Sequence, residues 1–342
     1  MRIIIDAMGG DNAPGEIVKG AAEAQRALGV DITLIGRESE VRACLAQCGA
    51  AENEHIAVKN AEEVVSMHDD PSTVLRTKRD SSMAVALKML HDGEGDACVS
   101  AGSTGALLTG ATLTVKRIPG IRRAAMAPVM PNGEYGTILI DCGANAECTE
   151  EYLLQFAYMG SFYSNKILGC PSPRVGLLNI GAEETKGTVL QKNTYALLQG
   201  AHEAGRINFI GNVEGHDMFS GRAEVIVADG FSGNVMLKTI EGTAKFLMKN
   251  IKGAFTSGLR GKMAALLVKD EMRAVKKLLD PSEVGGTPML GISKPVIKAH
   301  GSSDARAIEN AVRQAKTFAE SGITELIAEN IEFMKLRGDT KA

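Results

Sequence analysis

VSAGSTGALLTG, residues 99–110, follows the apolar run DACV and leads into a helical pattern, so the chain turns from strand to helix through Ala101, Gly102, Ser103, Thr104 and Gly105. Exposed backbone N–H groups, two hydroxyls and the positive end of a helix dipole make such a turn a place for an anion. Outward from it the same alternation recurs. RIIID, DITLIG, HIAVKN, DACVS, GTILID, RVGLLNIG, INFIG, EVIVAD and PVIKAH are short β-rich runs separated by stretches of helical spacing. Such alternation predicts an α/β protein whose mainly parallel sheet is covered on both faces. No repeat, low-complexity tract or linker interrupts it. The 342 residues are therefore expected to form a single α/β unit of two lobes sharing one sheet.

Composition narrows the function. Apolar content of 44% and charged content of 23% are those of an ordinary globular protein. A net charge of -3, 4% aromatic residues and no Trp leave little with which to hold or stack nucleic acid. The six cysteines (Cys44, Cys48, Cys98, Cys142, Cys148 and Cys170) form no CxxC pair, and the N-terminus opens directly on a strand. A cytoplasmic protein with reduced thiols is expected. Residues 97–115, the longest uncharged stretch, are diluted by Gly, Ser and Thr and predict a buried turn and helix rather than a membrane span.

In open α/β sheets ligands bind outside the carboxyl ends of the strands. Those ends read DAMGGDNAPG, SAGSTGA, DCGANAE, NIGAEETKG, GNVEGHD, ADGFSGN and KAHGSSD, each combining Gly with Asp, Asn, Ser, Thr, Lys or His. A single turn of this kind needs Gly and an N-cap anyway; seven together point to a polar ligand. No GxGxxG occurs, and GALLTGAT has Ala111 where a Walker A loop needs Lys, so neither nucleotide class is supported. Cys44 and Cys48 lack a His or acidic partner at ligand spacing, and no metal set is evident. His300 is set apart from the other histidines by lying between Lys298 and GSSD at a strand exit. Lys186 is flanked by glycines in GAEETKG, and Ser232 and Asn234 are placed to cap a helix or hold an oxygen.

Taken together, DAMGGDNAP, GSTGA, DCGAN, VGLLNIGAEETKG, GNVEGHD, DGFSGNVMLKTIEG and IKAHGSSDARAI resemble the PlsX phosphate acyltransferases, in the family's order and over nearly the whole chain. The resemblance implies a three-layer α/β/α fold like that of isocitrate and isopropylmalate dehydrogenases, related to phosphotransacetylases. It implies transfer of a fatty acyl group from acyl carrier protein to inorganic phosphate, giving acyl phosphate for phospholipid synthesis. It also implies a homodimer, no cofactor, and a product passed to a membrane glycerol-3-phosphate acyltransferase. Two departures stand out: Ala124 replaces a frequent proline, and His216 replaces a frequent arginine. A phosphotransacetylase-like enzyme using acyl-coenzyme A is the alternative.

Phosphate is already anionic near pH 7 and a thiol leaves with a pKa of about 8.5, so neither a strong base nor an obligatory acid is needed. What remains is to position two groups and stabilise developing charge. Gly102, Ser103, Thr104 and Gly105, with Ser232 and Ser302, are expected to hold phosphate. Lys186 and Asn234 are expected at the carbonyl oxygen or the incoming phosphate, with His300 and Lys298 after them, while Asp6 and Asp11 order the pocket. Residues 251–279 carry seven Lys or Arg against two acids. Leu259, Met263, Leu266 and Leu267 share one helical face there, which predicts a segment lying on the inner surface of a membrane or on a dimer partner.

Overall fold

The computed structural model describes residues 1–132, 134–278 and 285–336. Strand β1 (Arg2–Asp6), α1 (Gly15–Leu28), β2 (Asp31–Gly36), α2 (Glu38–Gln47) and β3 (Ile56–Asn60) open the chain. The short α3 (Val74–Thr77) and α4 (Ser82–Asp92) then lead to β4 (Ala97–Ser100). The expected turn follows, and α5 (Thr104–Gly110) runs on as a π-helical stretch, Ala111–Val115. Next come β5 (Ala125–Met126), β6 (Val129–Met130), β7 (Thr137–Ile140), α6 (Glu150–Lys166), β8 (Arg174–Leu178), α7 (Val189–Glu203), β9 (Asn208–Val213) and β10 (Val225–Val227). The long α8 (Gly230–Thr256), α9 (Leu259–Leu267) and α10 (Lys269–Leu278) precede β11 (Gly286–Leu290), β12 (Val296–Ala299), α11 (Ala305–Glu320) and α12 (Ile323–Glu329).

The strands form two sheets rather than the one shared sheet expected. Seven run β3-β2-β1-β4-β12-β11-β5 and five run β6-β7-β10-β8-β9, parallel except where β5, β6 and β11 pair. The break falls at Ala127 and Pro128. Ala127 donates to Pro288 O in the first sheet at 3.2 Å, and Pro128 O accepts from Leu139 N of the second at 3.1 Å. Proline brings no N–H, so the ladder of the first sheet ends there and the chain passes to the second.

Both sheets are covered on two faces, which is why their strands read as nearly unbroken apolar runs. Ile3, Ile4 and Ile5 of β1 are wholly buried; Ile3 and Ile5 meet the α1 and α11 side, and Ile4 meets the side of α4 and α5. In the second lobe α6 and α7 cover one face of the sheet, while Met236, Leu237 and Ile240 of α8 pack against the other. The three-layer α/β/α arrangement is thus present in each lobe.

Candidate active site

Strand register builds the polar end of the site. β1, β4 and β12 are neighbours, and Ser100 pairs with Asp6 on one side and Lys298 on the other. Asp6, Ser100 and Lys298 therefore stand abreast on the last rungs of three parallel strands. Ser100 Oγ donates to Asp6 Oδ2 at 2.6 Å and accepts from Gly102 N at 3.1 Å. The turns after β1 and β4 touch: a Cβ on Gly9 would lie 2.7 Å from Gly102 N, so only glycine allows the approach. Asp11 N donates to Gly301 O at 2.8 Å, and Asn12 Nδ2 donates to Ser302 O and Ser303 O, both at 3.2 Å. Three strand exits are thus tied into one surface.

On that surface Ser103 caps α5 by accepting from Ala106 N at 3.5 Å. Among the described residues no group accepts from the amides of Ser103, Thr104 and Gly105, which is the unsatisfied condition of a helix start that suits an anion. Lys298 is only 7% exposed. Its ammonium donates to Ala101 O at 3.3 Å and to Ala299 O, leaving one N–H for the cavity. Burial pulls its pKa down to about 8, while Asp6 and Asp11 act the other way. Burial likewise raises Asp6 above the usual carboxylate range against the pull of its Ser100 hydrogen bond. His300 Nδ1 accepts from Ser302 N at 3.2 Å and lies 2.8 Å from Ser302 Oγ. Burial holds its pKa below the ordinary value, opposed by Glu241 and helped by Lys238, Lys298 and Lys245. A neutral ring whose Nδ1 accepts carries its proton on Nε2, as a donor.

These groups open into a cavity of about 600 Å³ between the strand exits, the 126–131 crossing and α8. Its polar end holds Ser103, Thr104, Lys298, His300 and Asp11. Its walls are apolar, with Met8, Val65, Met126, Val129, Leu237 and Ile240 among them.

The structure brings together Gly102, Ser103, Thr104, Lys298 and His300. Gly105 sits one residue beyond, facing Pro71, and Ser302 reaches the site through His300. Lys186, Asn234 and Ser232 do not line this cavity. Lys186 is exposed after β8, Asn234 lies beside Gly143, and Ser232 Oγ donates to the helix-capping Asp229 at 2.8 Å. These three stand at exits of the second sheet, after β8 and at the start of α8, while Ser103 follows β4 of the first. The apolar walls were not anticipated from the sequence. Leu237, Ile240 and Ala244, spaced i, i+3 and i+7 in α8, are a periodic signal that marks them.

Comparison with known proteins agrees with this architecture. A phosphotransacetylase from Streptococcus pyogenes superposes with a TM-score of 0.64 over 93% of this chain and 94% of its own, at 17% identity, and so shares the fold. A phosphate acyltransferase from Oceanobacillus iheyensis is 46% identical over 333 residues, 97% of this chain and 98% of that one. One from Heliobacterium modesticaldum is 46% identical over 331 residues, again 97% and 98%. The family model for fatty acid synthesis proteins matches residues 1–326. With relatives this similar along its whole length, the chain belongs to the phosphate acyltransferases of the fatty acid synthesis protein family.

Proposed function

We propose that this acyltransferase carries a fatty acyl group from an acyl carrier protein thioester to inorganic phosphate. The observation that carries the reading is one cavity with a cationic, amide-lined end and apolar walls, fitted to an anion and a hydrocarbon chain at once. Phosphate rests on the amides of Ser103, Thr104 and Gly105 and against Lys298, with His300 Nε2–H as a further donor. A phosphate oxygen attacks the thioester carbonyl, the C–O bond forms, and the tetrahedral oxyanion collapses with cleavage of the C–S bond. The thiolate takes a proton from solvent, and acyl phosphate leaves. Donors fixed in a partly dry site need no reorganisation as charge develops.

Thiol release from acyl carrier protein is expected to require phosphate and no nucleotide, and to yield acyl phosphate in equal amount. Release that proceeds equally without phosphate, or depends on ATP or a nicotinamide, sinks the reading. Faster turnover of acyl-coenzyme A than of the acyl carrier protein substrate favours the phosphotransacetylase-like alternative.

The same reading includes a second copy of the chain and a membrane surface as partners. In α8 the exposed Phe231, Val235 and Phe246 fall with Gly242 at i, i+4, i+15 and i+11, opposite the face that lines the cavity. That second face supports a homodimer. Met263, Leu266 and Leu267 are 61%, 73% and 83% exposed; the side chain of Leu259 and residue 279 lie outside the described residues. No helix among the described residues is long and apolar enough to cross a membrane. The basic excess of residues 251–279 adds attraction to anionic lipid, about 1 kcal/mol per residue near the surface. Cosedimentation with anionic vesicles, and less with neutral ones, is expected for the parent. It is lost in Leu266→Glu with Leu267→Glu, while light scattering still reports a dimer. Equal binding by parent and variant removes this segment as the anchor; dissociation of the variant makes it a dimer contact.

A further inference from the structure

Beside the cavity lie two joined hollows that the reaction described above does not use. One, of about 360 Å³, is lined by Arg117, Arg122, Arg123 and Tyr152; the other, of about 390 Å³, by Thr109, Thr112, Asn145 and again Arg117 and Arg123. Arg122 is engaged with Glu151 through contacts of 3.0 and 3.1 Å. Arg117 and Arg123 differ. Arg117 donates to the Arg122 carbonyl, and Arg123 lies over the Tyr152 ring, 5.6 Å from its centre. Neither forms an ion pair with a carboxylate among the described residues, although Glu147 lines the same hollow. Two guanidiniums outside any ion pair among the described residues thus border a concave space with two threonine hydroxyls, while the Asn145 amide there is spent on Ala124 O and Asp141.

The hollow is connected to the cavity by two elements. Thr104 lines the cavity and Thr112 the hollow, eight helical residues or about 12 Å apart. Met126, at the end of β5, lines the cavity and Arg123, two residues before β5, lines the hollow, at most about 10 Å apart along the chain. An acyl thioester whose carbonyl lies at the phosphate end of the cavity would place whatever carries its sulfur within this distance.

We propose that Arg117 and Arg123 form an anion subsite for the phosphate of the acyl donor's pantetheine arm. The proposal rests on the acyl-transfer reading, which supplies a thioester donor. A pantetheine arm spans more than the distance between hollow and cavity, so it can set its phosphate on the two guanidiniums and its sulfur beside Thr104. Arginine suits the task because its planar fork meets phosphate oxygens through paired, charge-assisted hydrogen bonds. Both coenzyme A and acyl carrier protein present this phosphate, so the subsite recognises the arm, and the rest of the donor is selected elsewhere.

The test compares the parent with Arg117→Gln, Arg123→Gln and the double variant, using acyl-acyl carrier protein, acyl-coenzyme A and acyl-pantetheine, which lacks the phosphate. The double variant is expected to raise KM at least about 10-fold for each phosphate-bearing donor the parent uses. Its kcat and its KM for inorganic phosphate are expected to stay unchanged. For acyl-pantetheine, parent and variants should have the same KM, which also shows that the variants are folded. In calorimetry, 4′-phosphopantetheine should bind the parent and not the double variant. This binding needs no turnover. A folded parent that binds it yet transfers no acyl group overturns the functional reading and leaves the subsite standing. Unchanged KM values, or an equal rise for acyl-pantetheine, overturn the subsite. A rise confined to acyl carrier protein, with 4′-phosphopantetheine binding unaltered, assigns the arginines to an acidic protein surface and also overturns it.

Discussion

Lys298→Met is expected to lower kcat/KM for phosphate by about 10² to 10³-fold, the loss typical of removing one preorganised charge or donor from a reacting centre. The side chain is nearly buried, two of its N–H groups are spent on Ala101 O and Ala299 O, and the remaining one faces the cavity. Methionine keeps the length of the stem while removing the charge. With the Lys298 pKa of the free enzyme drawn down to about 8, the ammonium proposed to hold phosphate is lost as pH rises through that value. The parent's kcat/KM should therefore fall on the alkaline side of about pH 8, and the kcat limb should lie higher, since bound phosphate stabilises the ammonium. In the variant the residual activity should lack this alkaline limb. A variant with a lowered melting temperature but parental kinetics and parental pH profile would reduce Lys298 to a structural cation.

A still larger effect, on folding rather than rate, is expected for Asp141→Ala. This fully buried carboxylate accepts from Met126 N at 2.9 Å, Cys142 N at 2.6 Å, Ala144 N at 3.3 Å and Asn145 N at 2.7 Å, and from Asn145 Nδ2 at 3.0 Å. It joins the last strand of the first sheet, through Met126, to the β7 exit of the second. Each buried donor left without an acceptor costs about 1–3 kcal/mol. Partial relaxation of five of them still approaches the roughly 5–15 kcal/mol that separates native from unfolded chains. The variant should be insoluble or melt without a cooperative transition. Asp141→Asn retains one acceptor oxygen but points an amide at donors, and should fall between. Urea unfolding of Asp141→Ala within about 1 kcal/mol of the parent would show that water or neighbouring carbonyls replace the carboxylate.

Most of the nine strands legible in the sequence are buried on both faces and so have apolar centres, as RIIID and EVIVAD do, while the edge strand β3 is partly exposed. The three that are not legible, β5, β6 and β11, include two of only two residues, AM and VM, on either side of the Ala127–Pro128 break, and they are antiparallel. Their place is set by what they pair with. The division into two sheets hangs on them, and so was hidden too. The strand-to-helix turn at Ser103 was legible because glycines, hydroxyls and a helix start lie within five residues. Lys298 and His300 were visible as a cation and an imidazole at a strand exit. That Lys186 and Asn234 lie outside the lining of that cavity was not recoverable, since a strand end looks the same whichever sheet it joins. The apolar walls come from segments as distant as Val65 and Ile240, and only tertiary structure places them together.

Helix α8 lines the cavity on one side and meets the outside world on the other. Its 27 residues run from the Asp229 cap, along the cavity wall, to the start of the exposed apolar stretch. A helix is stiff over this length, so it moves more readily as a lever than by bending. If filling the cavity with a long hydrocarbon shifts α8, the opposite face shifts with it. Thermodynamic linkage then works in both directions with equal strength: a surface that prefers the filled position tightens the hold on the chain by the same factor as the chain tightens the hold on the surface. The length of the bound hydrocarbon becomes a quantity that can be read at a distance, and the state of the surface becomes a brake or an accelerator on release.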